Sequence, residues 1–135
     1  MPAYQLLVYP ITNYAFDTPL QQVNMDTSPL STKNLVWYYG NYLNSAADGA
    51  NPEFSILRAN LKGLPPATVT TADDDPLRSE GANFAAALVN AGVTVDFRNY
   101  PGVTHEFFSM GAVLDEAKQA NQQAATDLKK AFGIQ

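Results

Sequence analysis

The sequence predicts an α/β fold: about three parallel strands joined by crossover helices, with a long irregular segment inserted after the first strand. Two observations carry this expectation. Short apolar runs at residues 4–9, 67–72 and 93–100 alternate with helical periodicity at 79–91 and 112–132, and strand, helix, strand, helix in that rhythm marks right-handed βαβ units. Composition agrees, since 46% hydrophobic and 16% charged residues in a chain of 135 suit a globular domain with a real core rather than a disordered chain.

The first run, Tyr4-Gln-Leu-Leu-Val-Tyr9, is closed by Pro10 and reads as a strand buried on both faces of a parallel sheet. The next stretch, about 11–62, is dominated by Pro, Asn, Asp, Thr and Ser, and only Thr32 to Leu43 has helical character, with Ser31 as its N-cap. Long irregular insertions in compact domains are usually lids or binding loops. This one carries Trp37, Tyr38, Tyr39 and Tyr42 on its single helix, a cluster that suits core packing and a pocket wall equally well. Ala67 to Ala72, rich in Val and Thr after Pro65-Pro66, is the second strand. Ser79 to Ala91 follows as a crossover helix with Ser79 as N-cap, Glu80 in the first turn, Phe84, Leu88 and Ala91 at helical spacing, and Gly92 at the left-handed C-terminal position. Val93 to Tyr100 is the third strand, ending at Pro101. Finally, 112–132 places Leu114, Ala117, Ala124, Ala125, Leu128 and Phe132 on one stripe, with Lys129 and Lys130 in the last turn.

Several function classes drop out. A net charge of −5 without a Lys/Arg cluster lacks the electrostatic footprint of a nucleic-acid binder. The absence of cysteine removes disulfide scaffolds and thiolate metal sites. The opening residues have no basic n-region, and their apolar run is too short for a signal core or a membrane span. Gly81-Ala-Asn-Phe-Ala85 lacks a phosphate-cradling glycine pattern, so dinucleotide binding is disfavoured. Asp73-Asp74-Asp75 lacks the glycine and distal glutamate of a calcium loop, and no metal is expected; Asp73 and Asp74 read as a solvated turn.

Asp75 and His105 carry the chemistry. His105 is the only histidine, in Tyr100-Pro-Gly-Val-Thr-His-Glu-Phe-Phe108, and Asp75 opens Asp-Pro-Leu-Arg-Ser-Glu-Gly81. Both segments follow predicted strands, so both side chains should emerge at the carboxyl edge of one sheet, where open α/β folds gather their functional groups. A carboxylate that orients an imidazole, which in turn deprotonates a hydroxyl, is the acid and base of a nucleophilic triad. No Gly-x-Ser-x-Gly elbow occurs, and none of Ser28, Ser31, Ser45, Ser55, Ser79 or Ser109 lies in a Gly-flanked strand-to-helix turn that would expose its oxygen.

At these residues the chain resembles the hormone-sensitive-lipase-like branch of the α/β-hydrolases, which includes many microbial esterases and acetyl hydrolases. Gln5-Leu-Leu-Val-Tyr-Pro10 is similar to the strand after the nucleophile helix, and Trp37-Tyr-Tyr-Gly-Asn-Tyr-Leu43 to a cap helix. Ser55-Ile-Leu-Arg-Ala59, Gly63-Leu-Pro-Pro-Ala67, Asp75 to Gly81, Ala91-Gly-Val93 and Tyr100-Pro-Gly102 then follow in the family's order. The resemblance places the triad acid on Asp75 and the triad base on His105. Glu106 stands where the family usually has glycine. The family's oxyanion loop and nucleophile elbow do not occur in these residues.

The resemblance implies that residues 1–135 are the C-terminal portion of an α/β-hydrolase domain, with a cap-contributing insertion at about 11–62. It implies a serine carboxylic-ester hydrolase for short to medium acyl esters, with Trp37 and Phe107 as substrate-binding candidates, although Phe107 and Phe108 also read as core-facing. No cofactor is expected, and this chain alone should be inactive. Expected partners are a small-molecule ester and either the N-terminal half of the same hydrolase or a second copy, covering the edge of strand 4–9. Neither nucleic acid nor a membrane span is expected, and a cytoplasmic location is favoured. The alternative is a catalytically inactive hydrolase remnant serving as an interaction or structural protein.

Overall fold

A computed structural model describes residues 2–134. Three strands form one parallel sheet in the order β1-β2-β3: β1 (Gln5–Val8), β2 (Ala67–Asp74) and β3 (Val95–Thr104). Gln5 sits opposite Ala67, and Ala67 opposite Val95, so the three strands begin level. The helices are α1 (Pro19–Val23), α2 (Thr32–Tyr42), α3 (Arg78–Asn90) and α4 (Asp115–Phe132), with short 3-10 turns at Ala46–Ala50, Ile56–Arg58 and Phe107–Ser109.

β2 is the central strand, and its period-two alternation divides the core between two helices. Ala67 and Val69 join Phe84, Leu88 and Val93 in one cluster beneath α3. Residues pointing the other way face α4: Thr68 Oγ1 donates to Asp127 Oδ2 at 2.7 Å, and Ala72 packs with Tyr100, Phe107, Ala117 and Ala120. Helices cover both faces, which is why β2 reads as an almost unbroken buried run. Gly81 allows the close approach of α3 to the sheet, because a Cβ there would sit 2.7 Å from Thr71 Cγ2. A third cluster, Leu30, Leu35, Tyr39 and Leu77, joins the inserted segment to the start of α3.

Several sequence expectations are met and several shift. Ser31 caps α2 in a reciprocal box with Asn34, and Gly92 takes its left-handed turn at φ +84°. Ser79, however, is not an N-cap: α3 begins at Arg78, and the Asp75 carboxylate receives the Leu77 amide instead, at 2.8 Å. β1 is half-buried rather than buried on both faces, because among the described residues it pairs with β2 alone. β3 does not stop at Pro101. Among the described residues it is an edge strand, where a missing N–H costs no ladder bond, and after an irregularity at Gly102 (φ +69°) it rejoins β2 with Thr104 opposite Asp74. α4 starts at Asp115 rather than 112, and Ala125 and Phe132 lie exposed, the latter by 57%. Ala120 occupies the buried stripe instead. Asp73 is not merely solvated, since it accepts from Arg78 and Asn99 and ties the end of β2 to α3 and β3. No helix among the described residues is long and apolar enough to cross a membrane.

Candidate active site

The rejoining of β3 to β2 decides where the site forms. With Thr104 opposite Asp74, the residues immediately beyond both strands emerge at the same rim, and there His105 Nδ1 lies 2.7 Å from Asp75 Oδ2. Asp75 is fully buried, and both its oxygens are occupied, one by the imidazole and the other by the Leu77 amide. An ionised carboxylate only accepts, so Nδ1–H donates to it and the lone pair of the neutral ring is left on Nε2. Nε2 has no partner among the described residues, and the ring is only partly shielded, at 18% side-chain exposure.

The imidazole is held from behind. Tyr9, the first residue after β1, brings its ring centroid within 4.2 Å of His105, and Phe107, fully enclosed, packs on Tyr9 and Tyr100. Burial of a phenylalanine side chain on this scale contributes about 2–3 kcal/mol. Two non-glycine residues flanking His105 adopt positive φ: Tyr9 at +37° and Glu106 at +70°. Strained backbone of this kind persists only where its surroundings fix it, and it gathers at functional sites. Glu106, where the resemblance leads one to expect glycine, is thus left-handed in this chain. Glu106→Gly is expected to stabilise the protein by about 0.5–1 kcal/mol, the relief of strain being partly offset by a looser unfolded chain. Urea unfolding of both proteins measures it.

His105 opens onto a cavity of about 410 Å³, walled by Tyr9, Ile11, Pro29, Leu30, Tyr38 and Glu106, among others. Of the two candidates for substrate contact, Trp37 lies exposed on the outer side of α2 with its ring against Tyr38, and Phe107 lies in the core under the histidine. Neither lines this cavity. Tyr38, the next residue on α2, does.

Glu80 is a neighbour of Asp75 whose burial the sequence does not announce. Its Oε1 accepts the Thr12 amide at 2.7 Å, while Thr12 Oγ1 donates to the Glu80 carbonyl at 3.1 Å. Together these bonds fasten the entry of the insertion to the first turn of α3. Among the described residues the other carboxyl oxygen is buried without a hydrogen-bond partner, as is the Tyr39 hydroxyl. Burial pushes the Glu80 carboxyl up to about 7; the Thr12 and Asn13 amides oppose this and the Asp75 charge adds to it. Burial, with Glu80 and Tyr14 adding, also drives the Tyr39 phenol far above its ordinary range.

A family model described as the alpha/beta hydrolase fold matches residues 1–109. The chain belongs to the α/β-hydrolase family, in its hormone-sensitive-lipase-like branch. Among its relatives, the ethyl acetate hydrolase of Pseudomonas putida is 34% identical over 119 residues, which is 87% of this chain and 37% of that protein. The carboxylic ester hydrolase LipN of Mycobacterium tuberculosis is 36% identical over 111 residues, 81% of this chain and 30% of that protein. A thermostable esterase structure from Pseudomonas putida ECU1011 superposes with a TM-score of 0.92 at 36% identity, over 98% of this chain and 43% of that one. EstE1, a carboxylesterase cloned from a metagenomic library, gives 0.90 at 30% identity, over 96% and 45%. This α/β-hydrolase chain thus spans less than half the length of each of these relatives, and those relatives are ester hydrolases.

Proposed function

We propose that this α/β-hydrolase chain supplies the acid and base of a serine carboxylic-ester hydrolase acting on short to medium acyl esters. The observation that carries the reading is the Asp75–His105 hydrogen bond at the rim of a mostly apolar cavity. Asp75 fixes the tautomer and orientation of the ring, and Nε2 takes the proton of a serine hydroxyl as it attacks the ester carbonyl, then returns it to the departing alkoxide. The serine and the oxyanion donors come, in this reading, from a segment outside these 135 residues. The relatives' ester-hydrolase activities support the reaction class. The test is to express the longest open reading frame that contains this sequence and assay p-nitrophenyl esters from acetate upward. Hydrolysis that declines with long acyl chains is expected; a full-length protein without esterase activity would overturn the proposal.

The edge of β1, unpaired among the described residues, favours one other reading, a catalytically inactive hydrolase remnant whose half-buried edge strand pairs with another chain. Solution mass measurement separates the two, since this reading requires the 135-residue protein to associate and a clean monomer rules it out.

A further inference from the structure

Among the described residues, Glu106 is the one acidic side chain lining the cavity beside His105, and neither Lys nor Arg lines it. Its carboxylate forms no ion pair among the described residues, and the residue is exposed. Its backbone is nevertheless fixed: the left-handed turn at φ +70° is closed by the Ser109 amide at 3.1 Å and the Ser109 hydroxyl at 2.9 Å, both donating to the Glu106 carbonyl. Apart from His105, the other residues lining the cavity are apolar or aromatic, with Tyr9 and Tyr38 supplying its two phenol rings. The Tyr9 phenol already feels this field, being raised by burial first and then by Glu106 and Asp75.

An exposed carboxylate sharing a cavity with two tyrosine rings, with neither Lys nor Arg among the described lining residues, is the chemistry that holds an ammonium group: Coulomb attraction from the carboxylate and cation–π attraction from the rings. A carboxylate-bearing ligand would meet repulsion there. We propose that Glu106 is a specificity-determining residue that selects esters carrying an ammonium group within a few bonds of the scissile carbonyl, such as esters of amino alcohols. The proposal deepens the ester-hydrolase reading and rests on it for the word ester. The cation preference itself is a property of the cavity.

Binding therefore tests it without turnover. Choline and its neutral isostere 3,3-dimethylbutan-1-ol are titrated into the 135-residue protein and into Glu106→Gln at low ionic strength, with the His105 and Tyr9 ring resonances followed by NMR. The substitution keeps the side-chain length and the left-handed backbone while removing the charge. Choline is expected to bind about five- to tenfold more tightly than the isostere, with the preference lost in Glu106→Gln and shrinking as salt is added. Equal affinities, a preference that survives Glu106→Gln, or no perturbation of His105 by choline would each overturn it. If the cation preference holds but the full-length protein cleaves no ester, the reaction is wrong and the cation site stands. The converse result removes only the selectivity.

Discussion

If the proposed function holds, replacing His105 by alanine in the product of the longest reading frame that contains this sequence is expected to lower kcat for ester hydrolysis by about 10⁴- to 10⁶-fold with little change in KM, because the imidazole acts in the transition state rather than in ground-state binding. Asp75→Asn should cost about 10⁴-fold while leaving the fold intact. The amide can still accept from the Leu77 N–H through its oxygen, but it then presents its NH₂ to Nδ1, which favours the wrong imidazole tautomer. The two losses should not add when the substitutions are combined, since removal of the base leaves the acid nothing to orient. Single and double variants assayed side by side with circular dichroism as a folding control measure this. Retention of activity by His105→Ala would refute the assignment.

The second large effect concerns stability against pH. Glu80 keeps its proton up to about pH 7 in the folded protein, against an ordinary value of 4.5. The folded state therefore binds more protons than the unfolded chain between those limits. The stability this confers is complete below pH 4.5 and is lost as the pH rises through 7, a swing of about 3 kcal/mol. Glu80→Gln retains an acceptor for the Thr12 amide and cannot ionise, so its stability should not fall in this window and should exceed that of the natural protein at higher pH. Chemical unfolding of both proteins at about pH 5 and about pH 8 reads the difference, in which other titrating groups cancel. Parallel pH profiles would contradict the account. Glu80→Ala is expected to be less stable at both pH values, since it strands the buried Thr12 amide at a cost of about 1–3 kcal/mol.

Much of this molecule is legible in its sequence where periodicity and local chemistry agree. The Val- and Thr-rich run from Ala67, the helix closed by Gly92, and the Ser31-capped helix each carry their own start or stop signals, and the structure keeps them. Placing Asp75 and His105 at one rim follows from the same reasoning, because each ends a parallel strand. What was not legible depends on neighbours far along the chain. Pro101 reads as a strand terminator, yet β3 lies at an edge of the described sheet and continues past it. Trp37 and Tyr38 are adjacent on a helix with aromatic residues on several faces, so nothing local says which one turns toward His105. Glu80 in a first turn suits the helix dipole whether it is solvated or buried. Only the approach of Thr12, from 68 residues away, reveals that it is enclosed. Glu106 reads as a departure from the glycine that the resemblance implies, and its left-handed backbone is one that glycine adopts without strain.

The most direct test of the central claim is the protonation of the His105 ring. As His105 is the sole histidine, its two ring nitrogens can be followed by ¹⁵N NMR without ambiguity of assignment. In the neutral ring the proton is expected on Nδ1, with Nε2 showing the shift of a bare, lone-pair nitrogen, and Asp75→Asn should move the proton to Nε2. A proton on Nε2 in the natural protein, or a spectrum indifferent to Asp75→Asn, would contradict an acid–base pair at this rim.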